Sequence, residues 1–412
     1  MNNKKSGFVS MTLVYTFLIV FLFLMLAILT AYSEKNKFVD AINHQIDVDI
    51  SSTNTSRYTL INKMLADNEI ADDGSINFYN ISNLSSGNGN GLYYSDNIDL
   101  TDENNNGNTT RMYFYRGEVS NNNLVFADMC FKIMRTNENS SVRIRYNGKY
   151  VDGKCNGTNI SIAKLKYSDI SESSSDEEKE KSIGYMYTLS DTTDSTGEEA
   201  PQSIVKKSLD NWYVNNILNK TSDVTGLSYA NYVSDSTFCN ARNVASEDDT
   251  IKYYAAKNLI PYIIDDDNEI IGIDETLKCN NKDDRFNLAT LSGGTDETGN
   301  NLLSYPVGLV SANDVILAGG YLDSDLDTYK GGLYGVINDG YYMNISVSYW
   351  TMSPYSYDKT NELSKMLIVN EHGVLTQANV NDSFDVVPVI SLNPGVVIRS
   401  GIGSVNDPYI IK

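Results

Sequence analysis

Four cysteines, two histidines and two short acidic or amide-rich clusters are the residues of this 412-residue chain with chemistry to offer. A thiol nucleophile needs a neighbouring base. Neither His44 nor His372 is close in sequence to Cys130, Cys155, Cys239 or Cys279, so the cysteines read as bridges. Four cysteines allow three pairings. Cys130 with Cys155 and Cys239 with Cys279 are favoured, because each closes a moderate loop between segments that read as adjacent strands, for ~2–4 kcal/mol per bridge. Asp102, Asn104 and Asn106, followed by Gly107, match the first half of a calcium loop, but Tyr113 stands where the closing bidentate Glu belongs. Asp323, Asp325 and Asp327 alternate along an extended segment and share a face. Calcium is thus the only cofactor with candidate ligands, and a solvated turn explains both clusters as well. The stretch Ser292 to Gly299 lacks the Lys-Ser/Thr of a phosphate loop, and His372 stands before Gly373 without a nucleophile beside it. The expectation is no catalytic residue.

These residues need a scaffold, and composition bounds it. Acidic side chains outnumber basic ones 53 to 32, a net charge of −21. Phosphate recognition needs clustered Lys and Arg, so nucleic acid is excluded as a partner. A 41 % hydrophobic content with 28 Gly and 7 Pro allows a buried core.

Residues Phe8 to Tyr32 carry no charge, and at about 1.5 Å per helical residue they span a hydrocarbon core of roughly 30 Å. Lys4 and Lys5 precede them, which places the N-terminus in the cytoplasm and the rest outside. Residues 1–7 then form a leader, 8–32 a transmembrane helix and 33–70 a helical stalk. The stalk rests on the spacing of Phe38, Ile42 and Ile46 and on a short helical piece from Arg57 to Asn68. The extracellular head occupies 71–412.

Within the head, Arg111 to Tyr115, Leu124 to Met134 and Val142 to Tyr146 alternate or cluster β-branched and aromatic residues between Asn-, Gly- and Ser-rich turns, the pattern of hairpins. Pro261 to Ile273 reads as a hairpin around an Asp-Asp-Asp-Asn turn. Ile204 to Leu218 is the clearest head helix, with Trp212 as a core anchor. Low-complexity polar stretches at Ser171 to Lys181 and Ser190 to Glu199 mark an exposed insertion near 171–199. The expected class is α+β: a long N-terminal transmembrane and stalk helix, then a mixed, strand-rich head.

Lys4-Lys5-Ser6-Gly7 followed by Phe8 resembles the cleavage site of type IV prepilins. That resemblance implies cutting after Gly7 and methylation of Phe8. Thr12 stands at the fifth mature position, where most pilins carry Glu, and this departure is similar to minor pilins and pseudopilins. From Tyr113 to the C-terminus, strings such as LDNWYVNNIL, YPVGLVSANDVILAGG and VVPVISLNPGVVIRSGIGSVNDPYIIK resemble a group of uncharacterised Gram-positive surface proteins. The step from Trp350 to Pro354 and the strand Val387 to Leu392 also resemble the closing hairpins of C-type-lectin-like folds, which implies a core position for Trp350. The usual calcium-dependent sugar triplets of lectins are absent from the sequence.

The functional expectation is a surface-displayed, pilin-like, non-enzymatic subunit for adhesion or recognition. Its partners would be the membrane, other pilin-like subunits, and a surface protein or glycan. The alternatives are a bitopic signal-anchored envelope protein that binds wall polymer or a protein, and a surface enzyme.

Overall fold

The computed structural model describes residues 59–72, 90–96, 111–171, 173–185, 202–241, 244–247, 250–254, 262–264, 270–273, 277, 279, 282–288, 299–300, 302–322 and 340–411. The compact unit that contains them begins at Thr59. Residues 8–32, read from sequence as a transmembrane helix, and the segments read as the leader and most of the stalk lie outside the described residues.

The α+β expectation with a long N-terminal helix is corrected. Among the described residues strands outweigh helices, 39 % to 16 %, and the α-helices are short, Leu60–Asp67, Asp176–Lys181, Ile204–Tyr213 and Ala312–Leu317. None of them is long and apolar enough to cross a membrane. Where the stalk reading reaches the described chain, the helix Leu60–Asp67 stops after two turns and gives way to the strand Ile70–Asp72. Thr59 caps it by accepting from the Asn62 amide. Leu60 and Met64 are buried in the head core, and the Leu60 amide donates to the Val396 carbonyl at 2.9 Å. A helix with one short apolar stripe docks on a sheet instead of standing free.

Two larger sheets build the head. The first holds nine strands among the described residues. At its centre Met129–Thr136 pairs antiparallel with Asn123–Phe126 and with Val142–Lys149, which in turn pairs with Val389–Leu392. The C-terminal strand Tyr409–Ile411 runs parallel beside Asn123–Phe126. The second sheet centres on Tyr349–Asp358, paired with Leu363–Val369 and Ile251–Tyr254. Its register shifts on either side of Pro354, which has no amide to give the ladder.

Aromatic side chains fill the core, and many of the chain's tyrosines are inside it. Trp350 is fully buried, donates its indole N–H to the Leu165 carbonyl at 2.8 Å, and meets Tyr167 and Phe384 edge-on. Trp212, on the helix Ile204–Tyr213, packs edge-on against Tyr146 at 5.8 Å. That helix continues as the π-turn Val214–Leu218. The hairpin read at Pro261 to Ile273 is formed by Tyr262–Ile264 and Ile270–Ile273.

Leu124 to Met134 folds as a hairpin, with Ala127 and Asp128 both at positive φ as its two-residue turn. The expected exposed insertion differs from its reading. The first part of the expected insertion is docked. Ser175 and Glu178 form a capping box at the start of Asp176–Lys181. Lys179 is 5 % exposed and pairs with Glu362, while its carbonyl accepts from the Ser364 hydroxyl. Ile183 and Tyr185 behind it are fully buried. Residues 186–199 lie outside the described residues.

Candidate functional site

The strand Val142–Lys149 alternates Val142, Ile144, Tyr146 with Arg143, Arg145, Asn147. Period-two alternation puts the first set on one face and the second on the other. The partner strand repeats the pattern, with Phe131 and Ile133 opposite Tyr146 and Ile144. On the polar face Lys132 lies directly opposite Arg145, and Arg135 directly opposite Arg143. Like charges facing each other across a ladder are destabilising. In a chain with a net charge of −21, four cations in a row on one buried face need a specific explanation.

Three of them are explained by what they hold. Arg135 donates from Nε to Asp314 at 2.7 Å and from Nη1 to Asn137 at 2.6 Å, fixing the helix Ala312–Leu317 to the sheet. Burial pushes the Asp314 carboxyl up, yet Arg135, Arg143 and the Ser311 amide together hold it below its ordinary value. Arg143 donates to the Thr237 carbonyl at 2.6 Å and lies 4.3 Å above the Phe238 ring. Burial and Arg135 push its proton affinity down while Asp314 and Glu138 oppose them, and a guanidinium stays charged throughout. Arg145 is fully buried and donates to the Tyr342 carbonyl at 3.1 Å, with Met343 beside it.

Lys132 is different. Its ammonium has one partner, the Asn122 side-chain oxygen at 3.2 Å, and makes no ion pair among the described residues. The buried lysines Lys206 and Lys179 each have a carboxylate, Asp210 and Glu362. Desolvation, reinforced by Arg145 across the ladder, pushes the Lys132 ammonium down to about 8.

Lys132 lines an open cleft of about 580 Å³. Glu118 and Ser120 come from the turn after Met112–Arg116, and Asn147 from the strand beside Lys132. Gly157 and Ile160 form one wall, and Tyr341 to Ser346 another. Each wall is tied down. The Cys130–Cys155 bridge joins the strand of Lys132 to the Gly157 wall. The Cys155 amide donates to Val405, another lining residue, at 3.0 Å. Gly148 lets the same wall approach: at φ +95° it takes a left-handed backbone, and a Cβ there would sit 2.0 Å from the Thr158 carbonyl oxygen. The opposite wall is held by Arg145, by the Tyr341 hydroxyl on Gly373, and by the Tyr342 amide on Gly117. Asn147, 6 % exposed, makes no side-chain hydrogen bond among the described residues.

Such a cleft can hold an anion against a half-buried amine and offer amide and hydroxyl groups to a polar ligand. Its key residues were not singled out from sequence. The one signal in the sequence is a cation at alternate positions of a strand-like segment, which reads equally as a solvated face.

The bridges are Cys130–Cys155 and Cys239–Cys279, with no free cysteine. Two bridges are consistent with a protein of an oxidising compartment, outside the cytosol. Trp212 and Trp350 are core residues. Gly7, Phe8, Asp102, Asn104, Asn106, Asp323, Asp325 and Asp327 lie outside the described residues, as does His44. His372 sits in a turn, its amide donating to the Asn370 side chain. Among the described residues no cluster of His, Cys, Asp or Glu is placed to hold a metal ion. Comparison with family models, curated proteins and solved structures found no match for this chain.

Proposed function

We propose that the protein is a non-enzymatic recognition subunit carried at the cell surface, a pilin-like component whose head engages a surface protein or glycan. The cleft at Lys132 is the observation that supports this most. Its walls are fixed in advance by a disulfide, an arginine and backbone bonds, so little ordering entropy opposes capture of a ligand. The amine at its floor has no counter-ion of its own among the described residues. The Lys4 to Phe8 sequence and its likeness to prepilin processing sites support delivery through a filament-building pathway.

Two measurements test the proposal. N-terminal sequencing of the protein recovered from its native cell surface is expected to begin at Phe8. Retention of Met1 would favour the bitopic alternative, and a start near Tyr32 would remove the filament role. Cells lacking the protein are expected to lose adhesion to a surface that retains the parent cells. Unchanged adhesion across a panel of protein- and glycan-coated surfaces would overturn the recognition role.

A further inference from the structure

We propose that the cleft takes a single carboxylate on a hydroxyl-bearing ligand, the chemistry of an acidic sugar, with Lys132 as the ion-pairing group. This rests on the recognition reading and names its ligand class. Three features of the site carry it.

The first is the charge count. Among the residues lining the cleft, Lys132 and Glu118 alone are charged, with opposite signs, so the lining is formally neutral. With Arg145 opposite Lys132 counted as well, the site carries one net positive charge, which a monocarboxylate brings to zero. A phosphate dianion would bring a second negative charge into a cleft that already holds Glu118. The second is the unused hydrogen-bonding capacity. An ammonium has three donors, and Asn122 takes one. Asn122 is itself turned toward Lys132, because its amide donates to the Ile133 carbonyl at 3.1 Å and leaves its oxygen for the amine. Asn147, with one acceptor and two donors uncommitted, matches the paired donor and acceptor character of vicinal hydroxyls. The third is the electrostatics of the cleft floor. Arg145 behind Lys132 spends its hydrogen bonds on carbonyls, which do not neutralise it. The two cations together leave a positive field at the cleft floor, and a carboxylate arriving there is attracted by both.

A bound carboxylate would also raise the proton affinity of Lys132 from its depressed value. Binding therefore takes up protons above pH 8, and affinity falls as pH rises past that point.

The test is calorimetric titration of the full-length wild-type chain, Lys132→Gln and Lys132→Arg with sodium glucuronate, glucose and inorganic phosphate at pH 7 and pH 9. Glucuronate is expected to bind wild type at least about tenfold more tightly than glucose, the order carried by one charge-assisted hydrogen bond. Lys132→Gln should lose that preference with no loss of thermal stability. Lys132→Arg, charged at both pH values, should bind glucuronate with no weakening at pH 9, where wild type weakens. Equal affinity for glucuronate and glucose, or an unaltered Lys132→Gln, would overturn the proposal. So would phosphate binding as tightly as glucuronate, which would indicate a general anion site. Glucuronate binding by a protein whose loss leaves adhesion unchanged would refute the adhesive role and keep the site. Adhesion that survives Lys132→Gln would place the adhesive contact elsewhere on the head.

Discussion

The polar face of the central strand pair has two ends that share a composition and differ in fate. At one end Arg135 and Arg143 face each other, and Asp314, Asn137 and the Thr237 carbonyl close over them. At the other end Lys132 faces Arg145, and the backbone closes over the arginine alone. The planar guanidinium, with five donors in a fixed fork, is suited to gathering carbonyls from a neighbouring loop. The lysine is a point charge left at the floor of a cleft. The comparison teaches that a buried cation surrounded by acceptors is a structural tie, whereas one with a single amide oxygen beside it keeps donors for a ligand.

The comparison can be broken at the closed end first. Asp314→Asn removes the one acid that pairs with these arginines and is expected to cost ~3–5 kcal/mol in urea denaturation, because it leaves buried charge uncompensated. A loss under about 1 kcal/mol, the range of an exposed pair, would mean that the carbonyls alone suffice. Replacing Cys130 and Cys155 together by Ser is expected to cost ~2–4 kcal/mol and to weaken glucuronate binding, whereas the same change at Cys239 and Cys279 should leave binding intact. Equal effects of both pairs on binding would separate the cleft from its wall. Gly148→Ala is expected to cost roughly 1–3 kcal/mol from the left-handed backbone, with a further loss from contact with the Thr158 carbonyl.

At the open end the sign reverses. Lys132→Met, which removes a desolvated charge, is expected to raise stability by up to about 1 kcal/mol. A loss comparable to that of Asp314→Asn would make Lys132 a structural tie like the arginines. The smallest effect is the pH dependence. With its folded-state value pushed down to about 8, Lys132 binds fewer protons than it does in the unfolded chain at higher pH. Stability therefore climbs from about pH 8 toward the ordinary lysine range. Burial raises Tyr167 and Tyr349, so above about pH 10 the tyrosines oppose this trend, since the folded state then holds the extra protons. Subtracting the Lys132→Met profile isolates the lysine component, and coincident profiles would contradict it.

The sequence carried some of this fold plainly. Asp-Asp-Asp-Asn between two apolar runs announces the hairpin formed by Tyr262–Ile264 and Ile270–Ile273, because Asp and Asn as residue types favour turns. The Ala127-Asp128 turn had no such mark. Alanine is a poor choice for positive φ, and pairing of the flanking strands imposes it. Asp176–Lys181 reads as a solvated charge run, and its docking depends on Glu362 and Ser364, far along the chain. The cleft was hidden for the same reason. Arg143 and Arg145 lie on an alternating strand whose polar face looks solvated until segments near residues 237, 314 and 342 cover it. A face covered by distant segments leaves no local pattern.

The Cys130–Cys155 bridge also has a consequence in time. Cys130 lies two residues before Lys132, and Cys155 two before Gly157, so one covalent bond couples the floor of the cleft to its wall. A chain still in the reducing cytosol lacks that bond. Its wall is then held by weaker backbone contacts alone, and the cleft stays loose and poorly receptive. If the cleft binds as proposed, it becomes receptive only once the bridge has formed in an oxidising compartment.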